Sequence, residues 1–468
     1  LFTFLLQLRE TLQHGHPLHL FTIFVGTVWI LWAIKVVLSR RYRPWAAPYR
    51  TTTSVVIPVV DEPLKLFREV LRRIGDQEPD ETIVVINGPR NAALEAVCNE
   101  FAGWLTWTWT PVAGKRNAVR MGVEMASGEV IVLVDSDTLW TKGTLTELQK
   151  PFADPQVGGV TTKQRILRHE RNLLTRWADW LENSRALYAM PAQSVLGQIG
   201  CLPGRTIAFR RDILIRSMPA FLSERFLGVF LEISDDRTLT NYTLKQGYRT
   251  VYQSTSLVYT DAPTRLGKLI KQQYRWARGS QYNTLRMLPW MLRHTPLLAV
   301  FFVFDMVLPF LLLGTICGWV YRHVTDNGTN LYQGYVEAYS WRQAVLAIVI
   351  LSVAASSLSM AVRHLRHLQE RPEDLPRLPV FVLLSTLFLM PIRLYGFLRM
   401  AHVGGWGTRQ HAYAPSQPSL VGSGPDAGGG FDTPSPYASL LPSPANPWVL
   451  LPYLLGLLIL VGGVLYDN

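Results

Sequence analysis

Charge is scarce in this chain. Of its 468 residues, 17% are Asp, Glu, Lys or Arg and 48% are hydrophobic. That is lean in charge for a soluble enzyme. Cysteine is scarcer still. Cys98, Cys201 and Cys317 stand apart with no CxxC pair, which argues against a structural zinc site and a disulfide framework. No basic helix is interleaved with stacking aromatics, so the formal charge of +12 does not point to nucleic acid. It fits basic loops on one side of a membrane together with an anionic ligand. No small-residue cleavage site follows the first apolar run, which therefore reads as an anchor rather than a signal peptide. The chain opens on Leu1 rather than Met, leaving room for a further helix upstream. No internal repeat is evident.

Long apolar runs are present. Residues 18–38 form one of about twenty residues, enough to span a bilayer, and Arg40, Arg41 and Arg43 follow at once. Further spans are expected at 297–320, 343–362 and 448–466. The loop over 323–341 has no Lys or Arg, whereas 363–377 carries Arg363, Arg366, Arg371 and Arg377. The positive-inside rule then puts 363–377 and the polar domain on the cytosolic side. The run over 380–390 is only about eleven residues before Pro391, so a re-entrant or interfacial piece is expected there. The expected organisation is an anchor (1–49), a catalytic domain (50–276), an amphipathic interface helix (277–296) and membrane helices (297–409). A flexible Pro/Gly/Ser-rich segment (410–447) and a last span (448–468) follow.

Within the polar domain, three Val/Ile-rich runs at 54–60, 82–86 and 130–134 read as buried strands. Helical patterns at 63–74, 90–101 and 116–126 lie between them. This alternation predicts an α/β domain with a parallel sheet covered on both faces. In such sheets ligands bind at the carboxyl ends of the strands, where Asp61, Asn87 and Asp135 stand.

The candidate chemistry follows from that edge. Asp135 and Asp137, two residues apart after a strand, can share a divalent cation and a diphosphate; Mg²⁺ and Mn²⁺ suit such oxygens. A turn or helix cap would use the same residues. Asp61 can accept from a base or ribose, or be an ordinary loop carboxylate. Lys115 can pair with a diphosphate, or be a solvated surface lysine. Ser234-Asp235-Asp236 offers adjacent acids, one of which can have its pKa pushed up to act as a base on a sugar hydroxyl. Asp236 is the candidate base, and the pair can also cap the next helix. Gln272, Arg275 and Trp276 lie one helical turn apart. The Arg can counter a leaving diphosphate, and the Trp offers a flat face to a sugar. An amphipathic helix with an interfacial Trp has the same look. Cys201, Gly204 and Arg205 sit in a loop that either shapes an acceptor pocket or is merely a loop. Together these sites, bracketed by spans, point to an enzyme that builds a sugar polymer at a membrane.

At these residues the chain resembles the processive, inverting family-2 glycosyltransferases, and among them the hyaluronan synthases most closely. The resemblance covers roughly 50–410. It is most specific at Ser234-Asp235-Asp236-Arg237, Thr240-Asn241, 251–255 and Gln272 to Trp276, with Trp406-Gly407-Thr408-Arg409 beyond. It implies a GT-A catalytic domain of Rossmann type, UDP-sugar donors, Mg²⁺ or Mn²⁺, a growing polysaccharide, and an α-helical transmembrane channel in the plasma membrane. It assigns Asp61 and Lys115 to the nucleotide and Asp135 and Asp137 to diphosphate and metal. Asp236 becomes the base. Gln272, Arg275 and Trp276 take donor and acceptor, and Trp406 and Arg409 lie at the roof of the site. There are departures. Ser234 stands where the family has Gly, Leu202-Pro203-Gly204-Arg205 replaces a Ser-Gly-Pro pattern, and Ala277-Arg278 looks more like chitin-oligosaccharide or cellulose synthases. Chitin-like, β-glucan or uronic-acid-containing products therefore stay open, as do a single-sugar transferase acting on a lipid carrier and a non-enzymatic transporter.

Overall fold

The computed structural model describes residues 19–112, 114–325, 340–402 and 447–467. Ten strands are present among them: β1 (Thr53–Val59), β2 (Glu81–Asn87), β3 (Thr106–Thr110), β4 (Val130–Val134), β5 (Thr138–Trp140), β6 (Val157–Ile166), β7 (Thr206–Arg210), a small hairpin of β8 (Arg225–Phe226) and β9 (Val229–Phe230), and β10 (Arg249–Thr260). All but the hairpin form one sheet in the order β3-β2-β1-β4-β7-β6-β10-β5. The runs of Val and Ile in β1 and β4 are buried throughout. Their side chains alternate between two cores, Val55, Ile57 and Val59 on one face and Val56 on the other. Helices α2 (Leu64–Gly75) and α3 (Ala92–Asn99) cover the first face, and α4 (Lys115–Met125) and α6 (Arg211–Leu222) cover the second. A fifth, α5 (Leu173–Ser184), lies between them in the chain.

The sheet is mixed rather than parallel throughout. β3, β2, β1 and β4 run parallel. β7 is antiparallel to both β4 and β6, and β5 is antiparallel to β10. Continuous apolar runs report burial on both faces and not strand direction, which depends on where the connecting chain returns. β3, a Thr/Trp alternation at the sheet edge, carries no such run and is not legible as a buried strand.

Among the described residues, five helices are long and apolar enough to cross a membrane: Leu20–Arg41, Pro296–Gly318, Arg342–Arg363, Pro372–Leu398 and Pro447–Tyr466. They are built on α1 (Leu20–Arg41), α9 (Pro296–Thr325), α10 (Trp341–Arg363), α11 (Met390–Leu398) and α12 (Leu451–Asp467). The run around 380–390, expected to be a short interfacial piece, belongs instead to helical turns continuing to Leu398. A π-turn over Ser385–Leu389 precedes Pro391, which falls in the first turn of α11. Such a turn absorbs the hydrogen bond a proline cannot donate. Between these parts, α7 (Asp235–Lys245) packs on α8 (Leu266–His294), and α8 packs on α9 and α11. α8 is one unbroken helix through residues 276 and 277, so Gln272 to Trp276 and the buried 277–291 stretch share a single axis.

Candidate active site

Two consecutive side chains at the start of α4 tie the acidic motifs together. The Lys115 Nζ lies 2.5 Å from Asp135 Oδ1. Arg116 runs inward and is fully buried. It donates to Asp235 Oδ1 at 2.8 Å, Glu224 Oε2 at 2.7 Å and the Phe221 carbonyl at 2.6 Å. Arg286 also pairs with Glu224. A buried guanidinium is tolerated only when its donors are spent in this way. Ser136, between the two candidate ligands, donates to Glu62 at 2.9 Å and stitches the turn after β4 to the end of β1.

Adjacent acids have divided labour. Both border one cavity, but Asp235 is buried and paired with Arg116, whereas Asp236 is partly exposed and has no such partner. The division is made by Ser234, whose backbone is left-handed at φ 65° and ψ 52°. That conformation is favourable for Gly and costly for Ser. One Asp236 oxygen accepts from the Gly204 N–H at 3.1 Å, the other from the Arg237 N–H at 2.8 Å. A Cβ on Gly204 would stand 3.2 Å from that of Asp236, a tight contact that the loop avoids by having Gly there. Burial pushes the Asp236 carboxyl above its usual range, and the Arg237 N–H and Lys115 only partly oppose it. Burial alone would lower Lys115, but Asp135, Asp235 and Asp236 more than offset it and hold the ammonium above its usual range.

The 201–205 loop binds both carboxylate sites. While Gly204 reaches Asp236, the Arg205 carbonyl accepts from the Asp135 N–H at 3.0 Å. The Arg205 guanidinium takes Glu182 at 2.9 Å and Gln164 at 2.8 Å. It also lies over the Trp276 ring, 5.7 Å from its centroid. Burial, with Asp236 nearby, pushes the Cys201 thiol up to about 12, which leaves it a neutral weak donor.

The candidate site residues open on one cavity of about 1090 Å³. Asp61, Asp135, Asp137 and Lys115 line the sheet end. Cys201, Gly204, Arg205 and Asp236 line the middle, and Gln272, Arg275 and Trp276 descend from α8. Trp276 is 38% exposed. Trp406 and Arg409 lie outside the described residues. The cavity continues beyond the catalytic groups to Lys35, Phe301, Asp305 and Arg393 on three of the apolar helices. Arg393 pairs with Asp305 at 2.9 Å, and Lys35 lies over the Phe301 ring at 5.2 Å. Sequence reasoning missed these charges, although an ionisable residue inside an apolar span is itself a signal of function. It also missed Glu182, Arg185 and Gln193, which line the cavity from α5 and the turns after it. There the helix carries a π-turn over Arg185–Ala189, a local widening common at functional sites. Among the described residues, no three His, Cys, Asp or Glu side chains converge as a metal cage.

Residues 50–279 match the family described as glycosyltransferase like family 2. The chain carries a family-2 glycosyltransferase domain and is a sugar-nucleotide-dependent hexosyltransferase, which implies a nucleotide-sugar donor and a growing glycan acceptor. It is similar to hyaluronan synthase of Streptococcus pyogenes, with 27% identity over 388 residues, 81% of this chain and 88% of the relative. An N-acetylglucosaminyltransferase of Mesorhizobium japonicum is 26% identical over 399 residues, 81% of this chain and 87% of the relative. The fold is GT-A-like. A mannosyltransferase from Pyrobaculum calidifontis, solved in complex with GDP-Man and Mn²⁺, aligns with a TM-score of 0.52 at 19% identity, covering 79% of this chain and 99% of that one.

Proposed function

We propose that the protein is a processive, inverting membrane glycosyltransferase. It polymerises sugars from UDP donors into a β-linked polysaccharide and passes the product across the membrane, with hyaluronan from UDP-GlcNAc and UDP-GlcUA as that product. The observation that carries this reading is the single cavity joining Asp135 and Asp236 to Phe301, Asp305 and Arg393 on the apolar helices. A single-sugar transferase needs no such continuation, and a transporter needs no acidic sites beside a nucleotide-binding sheet.

Asp236 is the base. Its carboxylate removes the proton from the acceptor hydroxyl as that oxygen attacks the anomeric carbon from the face opposite the diphosphate. Asp61 holds the nucleotide, while Lys115 and Arg275 offset the charge that develops on the leaving diphosphate. Gln272 and Trp276 seat the sugars, and Cys201 and Gly204 shape the acceptor end. Asp135 and Asp137 would hold Mg²⁺ or Mn²⁺, which supplies charge neutralisation on the diphosphate when bound. Among the described residues no third His, Cys, Asp or Glu joins these two carboxylates, and such a pair suits a cation that completes its shell with phosphate oxygens and water.

Orientation follows from the basic stretch 363–377, which packs against the catalytic domain. Arg371 pairs with Asp179 at 3.0 Å, and the Arg366 N–H donates to the Tyr188 hydroxyl at 3.1 Å. The two parts share one side, which the positive-inside rule makes cytosolic, with the protein multi-pass in the plasma membrane.

The test is synthesis by purified protein with Mn²⁺, offering UDP-GlcNAc and UDP-GlcUA singly and together, then digesting with hyaluronidase. A large product made only from both donors and degraded by the enzyme establishes hyaluronan. Product from one donor, or from UDP-glucose, keeps the mechanism and assigns the chain to a chitin-like, β-glucan or other polymer. UDP release without any polymer sinks processivity.

A further inference from the structure

The 201–205 loop ends in a cation on the cavity wall, Arg205. Its side chain is 12% exposed, and its Nη1 is shared between Glu182 and Gln164. Neither Nη2 nor Nε has a hydrogen-bond partner among the described residues. Donors that reach the cavity without a protein partner are available to a ligand that accepts from them.

The surrounding charge favours an anionic ligand. Arg185 lies 3.9 Å from the same Glu182 carboxylate that Arg205 engages, so two guanidiniums converge on one carboxylate. Location narrows the ligand further. The guanidinium lies 5.7 Å from the centre of the Trp276 ring, and its own carbonyl is bonded to the Asp135 N–H. A sugar resting against the exposed part of that indole is within reach of the unspent donors. A planar fork of N–H groups matches a carboxylate better than a lone hydroxyl.

We propose that Arg205, anchored by Glu182 and Gln164 beside Trp276, is a specificity-determining residue that binds the carboxylate of a uronosyl unit at the acceptor end. The proposal rests on the reading of Trp276 as a sugar platform.

The test is a binding titration on the full-length protein in detergent, with UDP and Mn²⁺ present. The probes are a glucuronosyl-ended oligosaccharide and the glucosyl-ended one of the same length and backbone. The wild type is expected to bind the uronosyl-ended probe about tenfold more tightly or better, the range of a hydrogen bond to a charged group. Arg205→Gln removes that preference, and Arg205→Lys restores part of it. Glu182→Gln takes away the counter-charge and widens the preference severalfold. Raising the ionic strength narrows it in the wild type and not in Arg205→Gln.

A wild type with no preference, or an Arg205→Gln protein that keeps it, overturns the proposal. If Arg205→Gln fails to fold, as judged by lost UDP binding, Glu182→Gln decides, and an unchanged ratio overturns it. Polymer formation by the same preparation is scored separately. Polymer without uronosyl preference sinks the role of Arg205 alone; preference without polymer sinks the processive synthase alone.

Discussion

The Arg116 guanidinium lies 2.8 Å from the Asp235 carboxylate in the protein interior, and the residue beside it, Lys115, reaches Asp135. One dipeptide at a helix start thus holds the two acidic motifs at a fixed separation. Removing one partner of a buried ion pair typically costs about 3–5 kcal/mol, because the other is left uncompensated. Arg116→Met is expected to destabilise the catalytic domain by about that much. Thermal unfolding in detergent, with a double cycle through Asp235→Asn, checks it. The double variant should cost less than the sum of the singles, and simple additivity would refute the coupling.

Asp236→Asn is expected to lower kcat by about a hundredfold or more, the usual contribution of a positioned base, with UDP binding changed little. Product formation and UDP titration measure the two separately; near-normal turnover would remove Asp236 from the mechanism.

The raised Asp236 pKa has a definite consequence for pH dependence. A base must be deprotonated, so activity is present above that pKa and is lost as pH falls through it. The acid limb of kcat/KM is expected above the usual aspartate range. Because Lys115 lowers this pKa, Lys115→Met should move the limb to still higher pH while weakening donor binding. A limb that stays in place, or moves down, contradicts the assignment.

Ser234 and Gly279 depend on each other. A Cβ on Gly279 would lie 2.5 Å from the Ser234 Cβ. Gly279→Ala should lower stability and activity, whereas Ser234→Gly relieves about 1–2 kcal/mol of left-handed strain. The double variant should recover most of the Gly279→Ala loss, because the clash is gone. Melting temperature and turnover of all three report whether it does.

Chelation of divalent cations should abolish transfer, and added Mn²⁺ or Mg²⁺ should restore it, with Asp137→Ala needing far more metal. Donor binding followed by titration gives a readout besides turnover, and full activity in excess chelator would end the metal assignment.

Much of the nucleotide-binding half is legible from local pattern. β1, β2 and β4 are continuous Val/Ile runs, and Asp61 and Asp135 fall just past the ends of two of them, so the site edge is readable before any coordinates. The acceptor half is not. α5 shows no signal that Glu182 and Arg185 turn towards a cavity, because a π-turn is a property of backbone geometry and not of residue type. The run before Pro391 looks too short to span for the same reason.

The amino-acid sequence by itself determined that β1, β2 and β4 are buried strands, that four of the apolar helices are long enough for a membrane, and which acids stand at strand ends, because each is written in short-range periodicity. Tertiary structure alone decided that Asp235 pairs with the buried Arg116 while Asp236 does not, that β7 returns antiparallel, that Arg205 reaches Glu182 and Trp276, and that one cavity joins the sheet edge to Asp305 and Arg393. These are contacts between residues distant in the chain. They are set by the direction in which each connection returns, and local pattern carries no record of that.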